Sequence, residues 1–535
     1  MALNRFAVVC GGAVVAGMVV QAGTNAVPYA SAYAMVAAAE TVHAVRPGGV
    51  GQPFWNPYGK WFLYAPAFNF NPVSGAVGYR FEAVGADGRT ASFVAACPTA
   101  PLTPIWLGLP RGYVDVVCSG VNAGGEKCGE AGRRRFWKKS AFKGNYPPAK
   151  RSYADAANLA YDYLLGLPSL DYLRRNGSPD PSYSLNGYPS KILSAEIEAL
   201  VLIAAHRPDR AAFALETARK AADHLIAGRL KAGTPLEYFT LTYEGAGEYG
   251  RSEANAGQNM LVYPATAGSA FVTLYRAVKE AKYLDAAEKI AATYLKLQGQ
   301  DGTWPLKVYE KDGKPVGPNR LIPTPVIELL EALYAVTGKT AYHQAADHAF
   351  AYIEAGPMKT YNWESQFEDT SLSAPYSNPT KHEACSTAIY LLQRFPRDPV
   401  RLNQARELLQ WAEDQFVWWD VPYGKNPKKE STSWDDWGGG EWILPGVQEQ
   451  QGLWAPIDGS AAKLIRTYLA LYRATGDPLD LLKARALGDS ITRAQWDAGC
   501  IRTFWVMADR NDDRYHVWLN CHLTSAAALT ELANP

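Results

Sequence analysis

The sequence has almost no net charge: 53 Lys and Arg against 52 Asp and Glu leave a formal +1 over 535 residues. That balance excludes the concentrated positive field on which nucleic-acid binding depends, so no nucleic-acid partner is expected. Also missing are an HExxH metal motif, a P-loop, a GxSxG elbow and a Rossmann glycine pattern beside a strand. No metal and no cofactor are therefore expected. Long apolar runs are confined to the start. The stretch from Phe6 to Val20 is short and broken by glycines, and no later segment is a candidate membrane span. With Arg5 before it and small residues at Ala30, Ala32 and Ala34, it reads as a secretory signal over residues 1–34. The expected location is secreted or periplasmic, with no membrane contact after signal cleavage. Cys10 lies inside the apolar stretch, which argues against a lipoprotein anchor.

Of the 7 cysteines, six follow the signal, and export permits disulfides. Cys118 and Cys128 flank SGVNAGGEK, and Cys500 and Cys521 bracket a loop, but spacing leaves their connectivity open. Cys385, in a helical pattern, reads as a buried free thiol. What the chain does have is aromatic residues, with 16 Trp and 31 Tyr. Shared between a core and an exposed groove, they would suit sugar stacking.

Residues 45–145 show short alternating stretches, GYRFEAV, TASFVAA and YVDVVCSGV, separated by glycine-rich turns. Period two bounded by turn chemistry predicts a small antiparallel sandwich, and the pattern resembles a fibronectin type III or immunoglobulin-like module. RRRFWKK reads as a solvated strand edge, and KGNYPPAKR as the boundary. Beyond it apolar residues recur three and four apart in twelve segments, from ADAANLAYDYLLGL to LTSAAALTELA. Short links such as HRPD, TGKT, FPRDP and TGDP follow every second helix, and long loops follow the others. Helices joined by short links run antiparallel, so the long loops gather at one end. Those loops, roughly 167–191, 229–260, 299–323, 355–380, 418–456 and 496–520, are long enough to be functional. Six helical hairpins over 150–535 resemble the (α/α)6 toroid of many glycoside hydrolases and polysaccharide lyases. The expected fold is thus mainly α, a toroid preceded by a β-sandwich.

The loop end holds Tyr243, Tyr249, Arg251, Glu253, Asn255, Asn259, Trp304, Lys307, Tyr309, Arg320, Trp363, Trp437, Arg502, Trp505, Tyr515 and His516. Indoles, amides and charged groups in one groove suit a carbohydrate, with Glu253, Asn259, Trp304, Trp363, Trp437 and His516 expected to contact it. QDGTW (300–304) is similar to a motif of terpene cyclases but occurs once and without an acidic companion. DRNDDR (509–514) lacks EF-hand spacing and reads as a solvated turn.

Two chemistries compete. A glycoside hydrolase needs two carboxylates across the scissile bond, and Glu248, Glu253, Glu368, Asp369, Asp435, Asp436 and Glu441 are all candidates. A lyase acting on a polyuronate must neutralise the sugar carboxylate, remove the C5 proton and protonate the leaving O4, which calls for Asn, His or Arg and a positioned Tyr or His. YSNPTKHEACSTAIYLL (376–392) offers Tyr376, Asn378 and His382 together. Asn378-Pro379 also reads as a helix cap, which would put His382 about one turn into a helix at the loop end, where free N–H groups favour an anion. His206, His224, His343 and His348 read as structural.

Signal, β domain and toroid with an Asn/His pair and rim tyrosines resemble secreted polyuronate lyases, in particular polysaccharide lyase family 38, which cleaves glucuronan or alginate. The resemblance implies metal-independent β-elimination on an acidic polysaccharide. It makes His382 and Asn378 the neutralising pair. The catalytic tyrosine stays open between Tyr376, Tyr309, Tyr249 and Tyr243, and the arginine between Arg251 and Arg320. A hydrolase of an acidic polysaccharide and a non-catalytic carbohydrate-binding protein remain as alternatives.

Overall fold

In the computed structural model, the residues described are 27–46, 56, 59–245, 255–368, 378–420, 442–451, 455–505 and 517–535. Helix α1 (Val27–Glu40) opens them and crosses the expected signal boundary at Ala34, so cleavage there would leave only its second half. No helix among the described residues is long and apolar enough to cross a membrane.

The β region is one curled five-stranded sheet of β1 (Trp61–Phe62), β2 (Gly78–Gly85), β3 (Thr90–Ala95), β4 (Gly112–Val121) and β5 (Lys127–Lys138), in the order β1-β5-β4-β2-β3. Its register sets Phe81 against both Phe93 and Cys118. On the covered side Phe81, Val114, Val116 and Phe136 are buried, and Phe68 and Trp106, which lie outside the strands, pack on Phe136. The layer over the sheet is therefore an aromatic loop layer where a sandwich would have a second sheet. All six cysteines described are free thiols, Cys385 among the buried ones and Cys128 exposed.

Among the described residues, six outer helices alternate with six inner ones. The outer set is α2 (Tyr153–Leu165), α5 (Ala211–Gly228), α7 (Ala281–Leu297), α9 (Thr340–Ala355), α12 (Pro399–Phe416) and α14 (Pro478–Ala494). The inner set is α4 (Pro189–His206), α6 (Tyr263–Val278), α8 (Thr324–Thr337), α11 (His382–Arg394), α13 (Asp458–Thr475) and α15 (Leu519–Ala533). Two short helices, α3 (Pro168–Asn176) and α10 (Pro357–Thr360), lie in the long connections. Each inner helix packs on the next, and α15 packs on α4, which closes the ring.

The short links are short because their residues stop one helix and start the next. Gly476 (φ 73°) ends α13 with its N–H on Tyr472 O, a left-handed position that glycine takes without strain. Asp477 then caps α14 by accepting from Leu479 N, with proline at the first turn. Across the ring, Glu328 raises the pKa of the Glu198 carboxyl, while Arg466 and Lys463 pull the other way. Those residues stand on α4, α8 and α13, so the faces carrying them look onto a common axis.

Candidate active site at the loop end of the ring

At the N-terminal ends of α4, α6 and α11 the described residues form one charged cluster. Lys191, half-buried in the first turn of α4, pairs with Glu368 Oε1 at 2.5 Å. Tyr263, at the start of α6, donates its hydroxyl to Glu368 Oε2, and Tyr243 donates to the Glu368 backbone carbonyl at 2.9 Å. Burial works against both charges of the Lys191–Glu368 pair. Their mutual attraction wins, so the lysine lies above its ordinary range and the carboxyl below.

His382 sits beside this pair. Its ring meets Phe367 edge-on at 5.2 Å, and Lys191 Nζ stands 5.9 Å from the centre of the same Phe367 ring. His382 is half-buried and is the first residue of α11. Burial, then the ammonium groups of Lys381, Lys463 and Lys191, hold its pKa well below 6.5. The positive end of the helix adds to the same effect. The imidazole therefore stays in its neutral, proton-accepting form at neutral pH and stands next to groups that attract an anion. Lys463 donates to Ser386 Oγ at 2.6 Å, one turn below His382. Lys381 is fully buried, donates to Gln448 O (2.8 Å) and Glu449 O (2.5 Å), and is lowered to about 7 by burial. Glu383, the next residue, is raised to about 7 by burial, with Lys463 opposing.

Several expectations are corrected. Asn378 does not cap α11: the helix starts at His382, with Lys381 at the cap position. Residues 378–380 instead run extended beside 363–365, with Ser365 N on Asn378 O (3.0 Å) and Thr380 N on Trp363 O (2.9 Å), and the Asn378 side chain donates to Gln450. Trp304 and Trp363 are fully buried and cannot stack on a ligand. Trp304 donates its indole N–H to Tyr294 O, and Trp363 packs on Tyr361 and Trp411. Asn259 is likewise a core residue, accepting from Thr242 N and donating to Thr240 O. Arg320 is bound to Asp301 and Tyr309 is an exposed residue of the short strand Lys307–Tyr309; neither contributes to the His382 cluster. Tyr249, Arg251, Glu253, Tyr376, Trp437 and His516 lie outside the described residues. So do Glu248, Asp369, Asp435, Asp436 and Glu441.

Because Trp304 is a core residue, Trp304→Phe is expected to lower the unfolding free energy by about 2 kcal/mol, from a lost hydrogen bond and lost packing. It should leave KM for any oligosaccharide unchanged. Denaturant titration beside steady-state kinetics checks both.

Lys191, Tyr263 and Lys463 were missed by sequence reasoning. A signal was available in the prolines at helix starts, as in YPSK and YPAT: Lys191 follows Pro189 by two positions, and Tyr263 precedes Pro264. Proline at the first turn fixes where an inner helix enters the ring, so the polar residues around it lie at the rim.

No family model and no curated protein matches the chain. Solved structures do. A D-mannose isomerase matches with a TM-score of 0.50 and 14% identity over 73% of this chain and 99% of its own. A family 76 glycoside hydrolase from a bovine Bacteroides thetaiotaomicron strain matches with a TM-score of 0.45 and 13% identity, over 86% and 93%. A polysaccharide lyase matches with a TM-score of 0.42 and 12% identity, over 88% and 64%. The match to the D-mannose isomerase shows that the chain has a helical toroid fold.

Proposed function

We propose that the protein is an exported carbohydrate-active enzyme, a lyase that cleaves a β-1,4-linked polyuronate of glucuronan or alginate type by β-elimination. One observation carries this reading: a histidine at the loop end of the ring, packed on Phe367 and neighboured by Lys191 and Lys463, with its pKa pushed down by burial and by the lysines around it. Lys191 and Lys463 would neutralise the uronate carboxylate, which acidifies C5. His382 then takes the C5 proton, the electron pair forms the C4–C5 double bond, and the C4–O4 bond breaks. Tyr263 gives its hydroxyl proton to the leaving O4, and the proton on His382 returns to it through solvent. In this assignment His382 is the base, and lysines take the neutralising role first expected of His382 and Asn378.

A second reading has one observation in its favour. Glu383, raised to about 7, would be protonated in part at neutral pH and could serve as the acid of a hydrolase, with Glu368 as the ionised partner. Products separate the two: the lyase leaves an ultraviolet-absorbing C4–C5 unsaturated end, the hydrolase a saturated one.

The base assignment also sets a pH dependence. A base works in its neutral form, and the His382 pKa is lowered, so activity persists as pH falls through 6.5 and is lost only below it. The acid limb of kcat/KM is expected below the ordinary histidine range, as a pH–rate profile on a soluble polyuronate would show. An acid limb at 6.5 or higher would remove His382 from the role.

A further inference from the structure

A cavity of about 350 Å³ lies at the same end of the ring, between residues 318–322, the C-terminal end of α9 and residues 356–366. Its walls gather polar groups that the described protein leaves unused. Arg320 commits Nη2 to Asp301 (2.7 and 2.6 Å) and to Thr303 O, and its Nε and Nη1 meet no acceptor among the described residues. Asn319 donates to Glu364 Oε2 at 3.0 Å, while Glu364 Oε1 is buried without a partner. The Tyr352 hydroxyl has no described partner either, and its ring forms one wall. Buried polar groups in folded proteins are nearly always paired, so the unpaired Glu364 Oε1 marks this hollow as a binding feature, and the half-exposed Arg320 and Tyr352 offer further polar groups to a ligand in it.

The cavity is tied to the His382 cluster by one stretch of chain. Glu364 and Gln366 line the cavity, Phe367 touches His382, and Glu368 holds Lys191. The hydrogen bonds between 363–365 and 378–380 fix this stretch in place. Four extended residues span at most about 13 Å, the scale of a short run of sugar rings.

We propose that this cavity is a second sugar subsite, which holds one hexuronate residue of the chain bound at His382. Arg320 receives its carboxylate, Asn319, Glu364 and Tyr352 receive its hydroxyls, and the Tyr352 ring lies along its apolar face. The choice of a uronate as ligand rests on the polyuronate reading above.

Calorimetric titration of the full chain with oligoglucuronates of increasing length tests it. Affinity is expected to rise in a step at the length that first fills the cavity. Arg320→Gln, and separately Asn319→Ala, should weaken the longest oligosaccharide about tenfold, the effect of losing a charge-assisted hydrogen bond. The milder Tyr352→Phe removes one hydroxyl and guards against misfolding in the other two. If all three variants melt like the parent and bind the longest oligosaccharide as the parent does, the cavity is not a subsite. An equal step with neutral oligosaccharides would overturn the uronate assignment. A uronate step that depends on Arg320 without any unsaturated product supports the subsite and removes only the lyase reading. Unsaturated product with a variant-insensitive step does the reverse.

Discussion

His382→Ala is expected to lower kcat on a cleavable polyuronate by about 10²–10⁴-fold, the usual contribution of a positioned general base. KM should change far less, because Lys191 and Lys463, the cations proposed to neutralise the uronate carboxylate, stay in place. The competing explanation is structural: the imidazole packs edge-on against Phe367 and is half-buried, so its loss removes contacts too. Thermal unfolding separates them. A small drop in melting temperature with a large drop in kcat assigns the base role. Loss of folding with per-molecule activity preserved makes His382 a packing residue. Glutamine at 382 preserves much of the volume but is not basic, and should be as inactive as alanine.

The second large effect is on stability, where the sheet meets the ring. Glu413, in the last turn of α12, is almost fully buried and accepts from Lys483 Nζ (2.9 Å), Tyr64 OH (3.1 Å) and Trp419 Nε1 (2.8 Å). Next to it Asp414 accepts from the backbone N–H of Leu63 and Tyr64 at 2.6 and 2.8 Å. Lys483 is itself buried; burial works against its charge, but Glu413 and Glu40 hold its pKa above the ordinary range. Its stabilising share is therefore complete below pH 10.5 and is lost as pH rises through the higher folded value. Glu413→Ala leaves that ammonium buried, with Glu40 at 3.6 Å as its remaining ion-pair partner. The expected cost is about 3–5 kcal/mol, the penalty for stranding one half of a buried pair. Equilibrium unfolding measures it. A cost under about 1 kcal/mol would mean that the junction tolerates the lone cation. The double change Glu413→Leu with Lys483→Met should recover much of the loss, because no charge is left unpaired.

The ring was legible because its information is periodic. Helical spacing gave the helices, and link length gave their direction, since TGDP and FPRDP are short for reasons visible in their own residues. The alternation over 61–138 likewise announced strands. It did not announce that Phe68 and Trp106, from segments between the strands, would cover the sheet, because burial of one sheet face says nothing about what covers it. His382 was expected about one turn into a helix at the loop end, and it is the first residue of α11 at that end. Asn378 was misread because local cap chemistry competed with pairing to residues 363–365, a partner distant along the ring. Trp304 and Trp363 were misread for a related reason: a tryptophan on a long loop stacks on a ligand or folds inward, and only the packed structure distinguishes the two. Lys191 and Tyr263 were missed because the prolines beside them place them at the rim but do not show that Glu368, from another hairpin, brings the two together.

The central claim is elimination at His382, and the most direct measurement counts two kinds of chain end in one reaction. The full chain is incubated with glucuronan and with alginate, and unsaturated ends, read by ultraviolet absorbance, are compared with new reducing ends. The account predicts that on its substrate the two rise together in equal number, and that both stop in His382→Ala. Reducing ends that accumulate without unsaturated ends would contradict it.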